Sequence, residues 1–513
     1  MARAGSAGGK AQSRGAGKAR GQSEAKRAAE QSAGWVWAAV AVILGAMALR
    51  LGVNSLALVP IHFDEAQYWA YGQELAWGYY SKPPLVGGVI RVATEIGGDT
   101  TVAMRVPAPV CHALTAGLLF LLGRGLFDAR TGFWAAAAYT AAPGVTASSM
   151  IVSTDPVMMV AWAGGLYAWV RAAETGDRRW WAAMGVAIGL GFLAKYTILA
   201  FAAGALGYAL FSARSRGLTG PAIAVLAAAL VAAPNLLWNA ANDFATLTHV
   251  AEDADPGTGY FRLDKFAEFI GAQFGVIGPV VFAAMGVALW YWRDWVGDWR
   301  MRLLAWQAFA LLGAMIGLAV VTRAQPNWAA PAYLAGTLFA VRWMLMADWR
   351  RGLRLQLGFG AAAAVAIWGL AWAYGSHALA LPRGPDPFKK MRLSEPFCEL
   401  ALGAMAEEGV AALLSNDRRR LSECMFLGGL GWDEIAVWNP DGLADNHHEL
   451  VSALRPGDRR PMLLAVLAGA DAMTRAFEQA RPIDEGRFRT HADRDFPYAL
   501  WVVEGFRGYD HRP

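Results

Sequence analysis

Apolar residues in this chain come in long blocks, not in alternation. Stretches of about 20 predominantly apolar positions, the length that crosses a hydrocarbon layer as a helix, recur from Trp35 to Tyr374. They predict about eleven spans, at residues 35–53, 105–127, 131–148, 157–171, 180–195, 198–213, 221–238, 266–292, 303–321, 328–346 and 355–374. Gly and Ala crowd these blocks, which lets helices approach closely in lipid. From about residue 382 the pattern changes to charged sequence with short apolar runs at 409–415, 434–438, 462–467 and 499–504. Helix-like stretches at 395–408 and 470–479 lie between them, and the alternation predicts a small α/β domain. The expected fold class is therefore a polytopic α-helical membrane protein with a small C-terminal extracytoplasmic α/β domain.

Composition agrees with the blocks. Across 513 residues, 56% are hydrophobic and only 17% charged, and the mean hydropathy is +0.29, as expected of a chain whose main solvent is lipid. Residues 1–33 are rich in Ala, Gly, Ser, Arg and Lys without periodicity, which predicts a disordered basic leader. The apolar run after it is long and far from Met1, so it reads as a retained anchor and not as a cleaved signal. The organisation expected is leader 1–33, membrane domain 34–376 with a first outer loop at 60–104, and tail domain 382–513.

Lys and Arg set the orientation, because short cytoplasmic loops carry their excess. The leader is basic, and counting spans from it puts Arg124 and Arg130, Arg178 and Arg179, Arg214 and Arg216, Arg300 and Arg302, and Arg350, Arg351 and Arg354 on the same inner side. The other face receives residues 60–104, the turn at 153–156, the loop at 239–265, the turn at 323–327 and the tail. An inner membrane of a bacterium is the expected location, with the N-terminus cytoplasmic and the tail domain periplasmic. The net charge of +5 then belongs to the inner fringe facing anionic lipid and makes no case for nucleic acid. Cys398 and Cys424 both fall in the outer tail, where a disulfide is chemically permitted; two cysteines without a spacing code leave the pairing open.

Candidate chemistry sits in the first outer loop. Asp64 and Glu65 are adjacent at the mouth of the first span, ahead of Tyr79 and Lys82-Pro83-Pro84. Ionised groups near hydrocarbon are expensive unless partnered or used, and the prolines restrict where the ammonium points. A base and a cation side by side suit attack of a hydroxyl on a carbon that bears a phosphate leaving group. The competing reading is that Asp64 caps a loop helix while Glu65 is solvated.

Other residues also carry two readings. Asp155, in Thr154-Asp155-Pro156, fits a helix cap and an active-site acid. Lys195 and Arg105, at outer span ends, fit both phosphate binding and snorkelling to headgroups. Arg50 is placed to pair with an acid near the mouth, with its role open. His62 and His249 lack a second ligand at a metal-site spacing, so no metal is assigned; His447 and His448 read as surface. The turn at 323–328 is polar and aromatic, and Trp328 fits an interfacial belt residue as well as a cleft wall.

Asp64-Glu65, Tyr79, Lys82-Pro83-Pro84, Arg105-Val106-Pro107, Thr154-Asp155-Pro156 and Gly191-Phe192-Leu193-Ala194-Lys195, in this order and spacing, resemble the GT-C glycosyltransferases. The likeness is to the branch, similar to glycosyltransferase family 39, that holds protein O-mannosyltransferases and the lipid A aminoarabinose transferase. It covers roughly residues 35–374.

The resemblance implies that Asp64 activates the acceptor, with Glu65 beside it in the catalytic set, and that Asp155 supports the acceptor or orients a basic partner. It also implies that Lys82 and Tyr79 contact the donor phosphate, helped by Arg105 or Lys195. The sequence departs at Gln67, where the aminoarabinose transferase carries Arg, and this bears on donor or acceptor choice. The expected activity is transfer of a sugar from a polyprenyl-phosphate donor to a hydroxyl of an envelope glycolipid, polysaccharide or protein, with inversion. No cofactor and no obligatory metal are expected. The alternative is a flippase or transporter of lipid-linked sugar, which the clustering of acids at one face and not at the midplane disfavours.

Overall fold

A computed structural model describes residues 7–211, 217–248, 262–322, 324–376, 381–491 and 493–509. His249, Arg214, Arg216 and Arg323 lie outside the described residues. The first helices are α1 (Ala7–Asn54), α2 (Phe63–Gln73), α3 (Leu85–Gly97), α4 (Thr101–Arg105), α5 (Pro107–Leu126), α6 (Ala129–Thr140) and α7 (Pro143–Ser148). They are followed by α8 (Thr154–Thr175), α9 (Arg178–Ala194), α10 (Ala200–Phe211), α11 (Thr219–Ala241), α12 (Leu263–Val276), α13 (Pro279–Trp290), α14 (Trp299–Val321), α15 (Ala332–Met346) and α16 (Arg350–Gly375).

All eleven expected blocks are helical. Five helical stretches, Ala29–Asn54, Thr101–Leu126, Thr219–Ala241, Trp299–Val321 and Arg350–Gly375, are long and apolar enough to cross a membrane unaided. The expected span at 266–292 is instead two helices, α12 and α13, bent by 115°. Gly278 sits at the break with φ +96, a left-handed conformation that glycine adopts without a steric cost, and a Cβ there would collide with the Gln356 side chain. The leader also differs from expectation. Disorder is expected for 1–33, yet α1 is helical from Ala7, in keeping with a stretch rich in the good helix formers Ala, Lys, Arg, Gln and Glu.

Some of the basic residues at the ends of the helices meet around Phe127 and Asp128, where Arg342 approaches Asp128 Oδ2 at 3.7 Å. There Arg300 and Arg342 lie over the Phe127 ring at 6.0 and 4.8 Å. The opposite end carries α2, α3 and the C-terminal domain. Arg50, near that end of α1, gives its guanidinium to the Thr140 carbonyl at 2.5 Å and the Thr146 hydroxyl at 3.5 Å. Its partner is therefore a backbone carbonyl of a neighbouring helix, not an acid at the mouth.

The C-terminal domain holds α17 (Ser394–Glu408), α18 (Arg418–Gly428), α19 (His447–Ser452) and α20 (Ala470–Thr474) around five strands: β1 (Ala412–Ser415), β2 (Ile435–Val437), β3 (Met462–Val466), β4 (Phe477–His491) and β5 (Arg494–Phe506). Their order is β2-β1-β3-β5-β4. β1 runs parallel to β2 and β3, while β5 pairs antiparallel with both β3 and β4. The helix expected at 470–479 stops at Thr474, and Phe477 opens a strand instead. Cys398 and Cys424 are bridged, tying α17 to α18.

The domain is fused to the first loop by packing. One apolar cluster runs from Ile61, Tyr71 and Ile90 of the loop into Phe397, Leu413 and Leu463 of the sheet domain. α18 lies along α2 in the same direction, with the Arg419 guanidinium over Phe63 at 5.1 Å near one end and Phe426 edge-on to Trp69 at 5.3 Å near the other. Trp432 Nε1 adds a bond to the Ala70 carbonyl at 3.1 Å.

Candidate active site

The site is built at the start of α2. His62 is the N-cap: its Nδ1 accepts from the Asp64 amide at 3.2 Å, while the Glu65 carboxylate accepts from the His62 amide at 3.1 Å. This reciprocal arrangement satisfies two otherwise orphaned amides and starts the helix. His62 is thus a hydrogen-bonding group, and among the described residues no three His, Cys, Asp or Glu side chains converge as a metal site would need.

Successive helix residues point about 100° apart, so the two acids diverge. Glu65 is fully buried. Its Oε1 accepts from Arg105 Nε at 2.9 Å and the Val152 amide at 2.8 Å, and its Oε2 accepts from Arg105 Nη2 at 2.7 Å. Arg105 spends its other donors on the Val59 and Pro60 carbonyls, both at 2.8 Å. Every strong bond of this pair is made inside the protein. Glu65, expected in the catalytic set, and Arg105, expected at the phosphate, are instead bonded to each other and to backbone; together they pin the loop, α2, α4 and the 152 backbone to one another. Arg105 is buried among acceptors, so snorkelling does not describe it either.

Asp64 is open, its side chain 44% exposed. Its Oδ2 lies 3.6 Å from His62 Nδ1. Burial lowers the His62 pKa from its ordinary value, against the smaller raising effect of Asp64, so at neutral pH the imidazole is uncharged and gives the carboxylate no counter-ion.

A second acid is held nearby. Asp155 Oδ1 accepts from Lys195 Nζ at 2.7 Å and its Oδ2 from Asn327 Nδ2 at 3.0 Å. The residue before α8, Ser153, makes no side-chain cap bond, so the carboxylate faces Lys195 and Asn327 rather than capping. Lys195 is accordingly an ion-pair partner and not a snorkelling cation. The buried Tyr68 hydroxyl lies in the fields of both Asp64 and Asp155; burial first, and then these two charges among others, push its pKa well up. Tyr68 thus lies within electrostatic reach of one carboxylate from α2 and one from α8.

Tyr79 does not face a ligand space. It is 1% exposed, donates to the Tyr71 carbonyl at 2.6 Å, accepts from the Ala76 amide at 3.2 Å and stacks on Tyr71 with centroids 4.1 Å apart. Its part is to brace the turn that carries Lys82, closed by the Tyr79 amide to the Lys82 carbonyl at 3.0 Å. Ser81, beside Lys82, approaches the Gln67 amide at 3.4 Å, which places the turn about one helical turn along α2 from Asp64. Gln67 is buried and also bonds the Tyr71 hydroxyl. From the far side, Asn235 Nδ2 holds the Trp77 carbonyl at 2.7 Å, and the Thr246 hydroxyl holds the Tyr79 carbonyl at 2.8 Å.

Sequence reasoning missed what the sheet domain contributes. His447, read as surface, packs edge-on to Tyr71, Tyr79 and Trp432 at 5.0, 5.1 and 5.3 Å, and burial lowers its pKa to about 4. Arg419 and Lys390 come over the start of α2, 5.1 and 5.8 Å from the Phe63 ring. No spacing in the sequence signals this, because it depends on how α18 docks.

A set of apolar helices with the small mixed-sheet domain packed on its first loop makes up the fold. The chain superimposes on crystal structures of ArnT from Cupriavidus metallidurans in the apo state and bound to undecaprenyl phosphate, with TM-scores of 0.62 and 0.61 over 92% of this chain and 98% of each, at 13% and 14% identity. In sequence it is 32% identical to the lipid A galacturonosyltransferase RgtD of Rhizobium johnstonii over 84% of this chain and 90% of that protein. It is 33% identical to an undecaprenyl phosphate-alpha-4-amino-4-deoxy-L-arabinose arabinosyl transferase of Pseudomonas aeruginosa over 40% of this chain and 37% of that protein. The family model described as dolichyl-phosphate-mannose-protein mannosyltransferase matches residues 81–238. The chain belongs to the GT-C glycosyltransferases. It is a glycosyltransferase, which sets aside the flippase reading.

Proposed function

We propose that this chain moves a sugar from a polyprenyl-phosphate donor to lipid A or a closely similar envelope glycolipid on the outer face of a bacterial inner membrane. The polyprenyl chain of the donor lies in lipid between spans and its head enters beneath the sheet domain. Asp64 accepts the proton of the acceptor hydroxyl as that oxygen attacks the anomeric carbon; the carbon–phosphate oxygen bond breaks on the opposite face, so the configuration inverts and polyprenyl phosphate leaves with the bonding pair. Lys82 offsets charge on the departing phosphate. Lys195 and Asn327 orient Asp155 toward the acceptor.

The observation that carries this reading is the divergence of the two adjacent acids: Glu65 is consumed in a buried ion pair, while Asp64 stays exposed with only the His62 imidazole within ion-pair distance among the described residues. Orientation is supported by the basic fringe at the far end and by the Cys398–Cys424 bridge, since disulfides persist in oxidising compartments. Residues 34–376 act as the membrane unit and 382–513 as its outer cover. For the sugar, we favour a uronic acid such as galacturonic acid, because the match to the galacturonosyltransferase runs through 84% of the chain and the match to the aminoarabinose enzyme through 40%. The replacement of Arg by Gln67 in the first loop fits that choice.

The test is Asp64→Asn in proteoliposomes supplied with radiolabelled polyprenyl-phosphate sugar and lipid A. Turnover should fall by about 10²–10⁴ or more, with donor binding and thermal unfolding unchanged. Near-normal release of polyprenyl phosphate by this variant would remove Asp64 from the mechanism.

A further inference from the structure

The active-site mouth has a charge problem if the transferred sugar is anionic. Among the described residues, Asp64 has only the His62 imidazole within ion-pair distance, at 3.6 Å, and Asp155 pairs with Lys195 at 2.7 Å. A sugar carboxylate brought to this place meets repulsion from Asp64, and like charges within a few ångströms in a partly desolvated cleft weaken binding unless a cation answers them. The membrane helices already commit Arg105 to Glu65 and Lys195 to Asp155. The sheet domain supplies what remains.

Arg418 is the first residue of α18, and α18 lies along α2 with its start over Phe63. Arg418 is half-buried, and among the described residues its guanidinium makes no ion pair. Its charge reaches Tyr68, Tyr71 and His448, and Tyr68 is the same side chain that feels Asp64 and Asp155. Arg419 and Lys390 flank it, both within 6 Å of the Phe63 ring at 5.1 and 5.8 Å. Neighbouring basic residues of this helix are spent otherwise: Arg420 is buried against Glu423 at 2.7 Å. A half-buried guanidinium at the start of α18 with no carboxylate or carbonyl bonded to it among the described residues is placed for an external anion, unlike Arg50, whose guanidinium is taken up by the Thr140 carbonyl. Its planar fork suits a carboxylate, which it can hold with two parallel bonds.

We propose that Arg418, flanked by Arg419 and Lys390, forms an oxyanion subsite on the sheet domain that seats the carboxylate of the transferred sugar beside Asp64. The proposal rests on the uronic acid reading of the donor. Phosphate held by Lys82 and carboxylate held by Arg418 would then fix the sugar at both ends, leaving the anomeric carbon between them.

The experiment measures binding and transfer for three lipids with full-length protein: undecaprenyl phosphate, its galactosyl form and its galacturonosyl form. Wild type should bind the galacturonosyl lipid more tightly than the galactosyl one. Arg418→Gln should weaken galacturonosyl binding about 10- to 100-fold, the range expected for a lost charge-assisted bond, while leaving undecaprenyl phosphate and the galactosyl lipid unchanged. Arg418→Lys should recover only part of the loss, since the charge stays but the fork does not. Thermal unfolding separates a misfolded variant, and Arg419→Gln, exposed and easily tolerated, gives a second and smaller effect of the same selectivity. Equal weakening of all three lipids would make Arg418 a phosphate ligand and overturn the proposal. A rise in KM for lipid A with donor binding untouched would assign it to the acceptor and overturn it too. If wild type transfers sugar but shows no preference for the uronosyl lipid, the donor reading fails and this subsite with it, whereas absence of all transfer by wild type indicts the proposed reaction itself.

Discussion

Two adjacent carboxylates in the sequence have opposite fates in the fold, and the difference is a rotation of about 100° around one helix. Asp64 turns toward solvent and Tyr68; Glu65 turns inward to Arg105, the Val152 amide and the His62 amide. Removing one member of a buried ion pair leaves the other charged and unpaired, which costs about 3–5 kcal/mol. Glu65→Ala should therefore lower the unfolding temperature of the purified protein in detergent and lose activity through misfolding, whereas Asp64→Asn should lose activity alone. A Glu65→Ala protein with wild-type thermal stability and no turnover would return Glu65 to catalysis. The same comparison applies to Tyr79: Tyr79→Phe keeps the stack on Tyr71 and removes only the internal bonds, so its effect should be a loosened loop and not a lost phosphate contact.

At the scale of elements, the active-site helix is held by a helix from another part of the chain. α18 carries Arg418 and Phe426 along α2, and the Cys398–Cys424 bridge ties α18 to α17 across 26 residues. Cross-linking a loop of this kind limits the unfolded chain and commonly contributes about 2–4 kcal/mol. Replacing both cysteines by Ser should lower the stability of the sheet domain by that order and speed its proteolysis, with transfer retained at low temperature. Equal protease resistance of bridged and bridgeless protein would show that packing of Phe397 and Leu413 suffices. The close contact of α16 with the 141 backbone acts in the same way in the membrane: a Cβ at Gly360 would strike the Ala141 carbonyl, so Gly360 is where these two helices meet.

Across the whole molecule, the sheet domain and the first loop behave as one body, sealed by His447 among Tyr71, Tyr79 and Trp432. Its pKa drops from 6.5 to about 4 because burial disfavours the charged form. The unfolded chain therefore binds a proton between pH 6.5 and 4 that the folded chain does not, and stability falls as pH drops through that window. Above pH 6.5 this residue has no effect on the pH profile. Amide protection factors in the 76–82 loop, with the intrinsic pH dependence of exchange divided out, should fall on acidification from pH 7 to 4.5, and His447→Gln should flatten that fall. Unchanged protection factors over this range in the wild type would mean that the histidine does not seal the joint.

How much of this was legible in the sequence follows from which forces are local. Hydrophobic blocks of membrane length, the basic fringe at their ends and the change of character near residue 382 are one-dimensional patterns set by the solvent each segment meets, and they yielded the membrane class, the helical blocks and the tail domain. The Asp64, Lys82 and Asp155 positions stood out as candidates because ionised groups beside apolar blocks are costly.

Pairing was not legible. β4 was missed because its residues are mostly exposed on both faces, so no apolar alternation marks it, and the break at Gly278 was missed because a continuous apolar run looks alike whether straight or bent. Which acid is buried, which cation each acid takes and which helix of the tail covers α2 depend on contacts between residues far apart in the chain: Glu65 with Arg105, Asp155 with Lys195, Phe63 with Arg419. The sequence by itself determined the membrane class and the residues capable of the chemistry; only the tertiary structure decided which of them are neutralised in the interior and which are left to act, because charge neutralisation depends on distance in space and not along the chain.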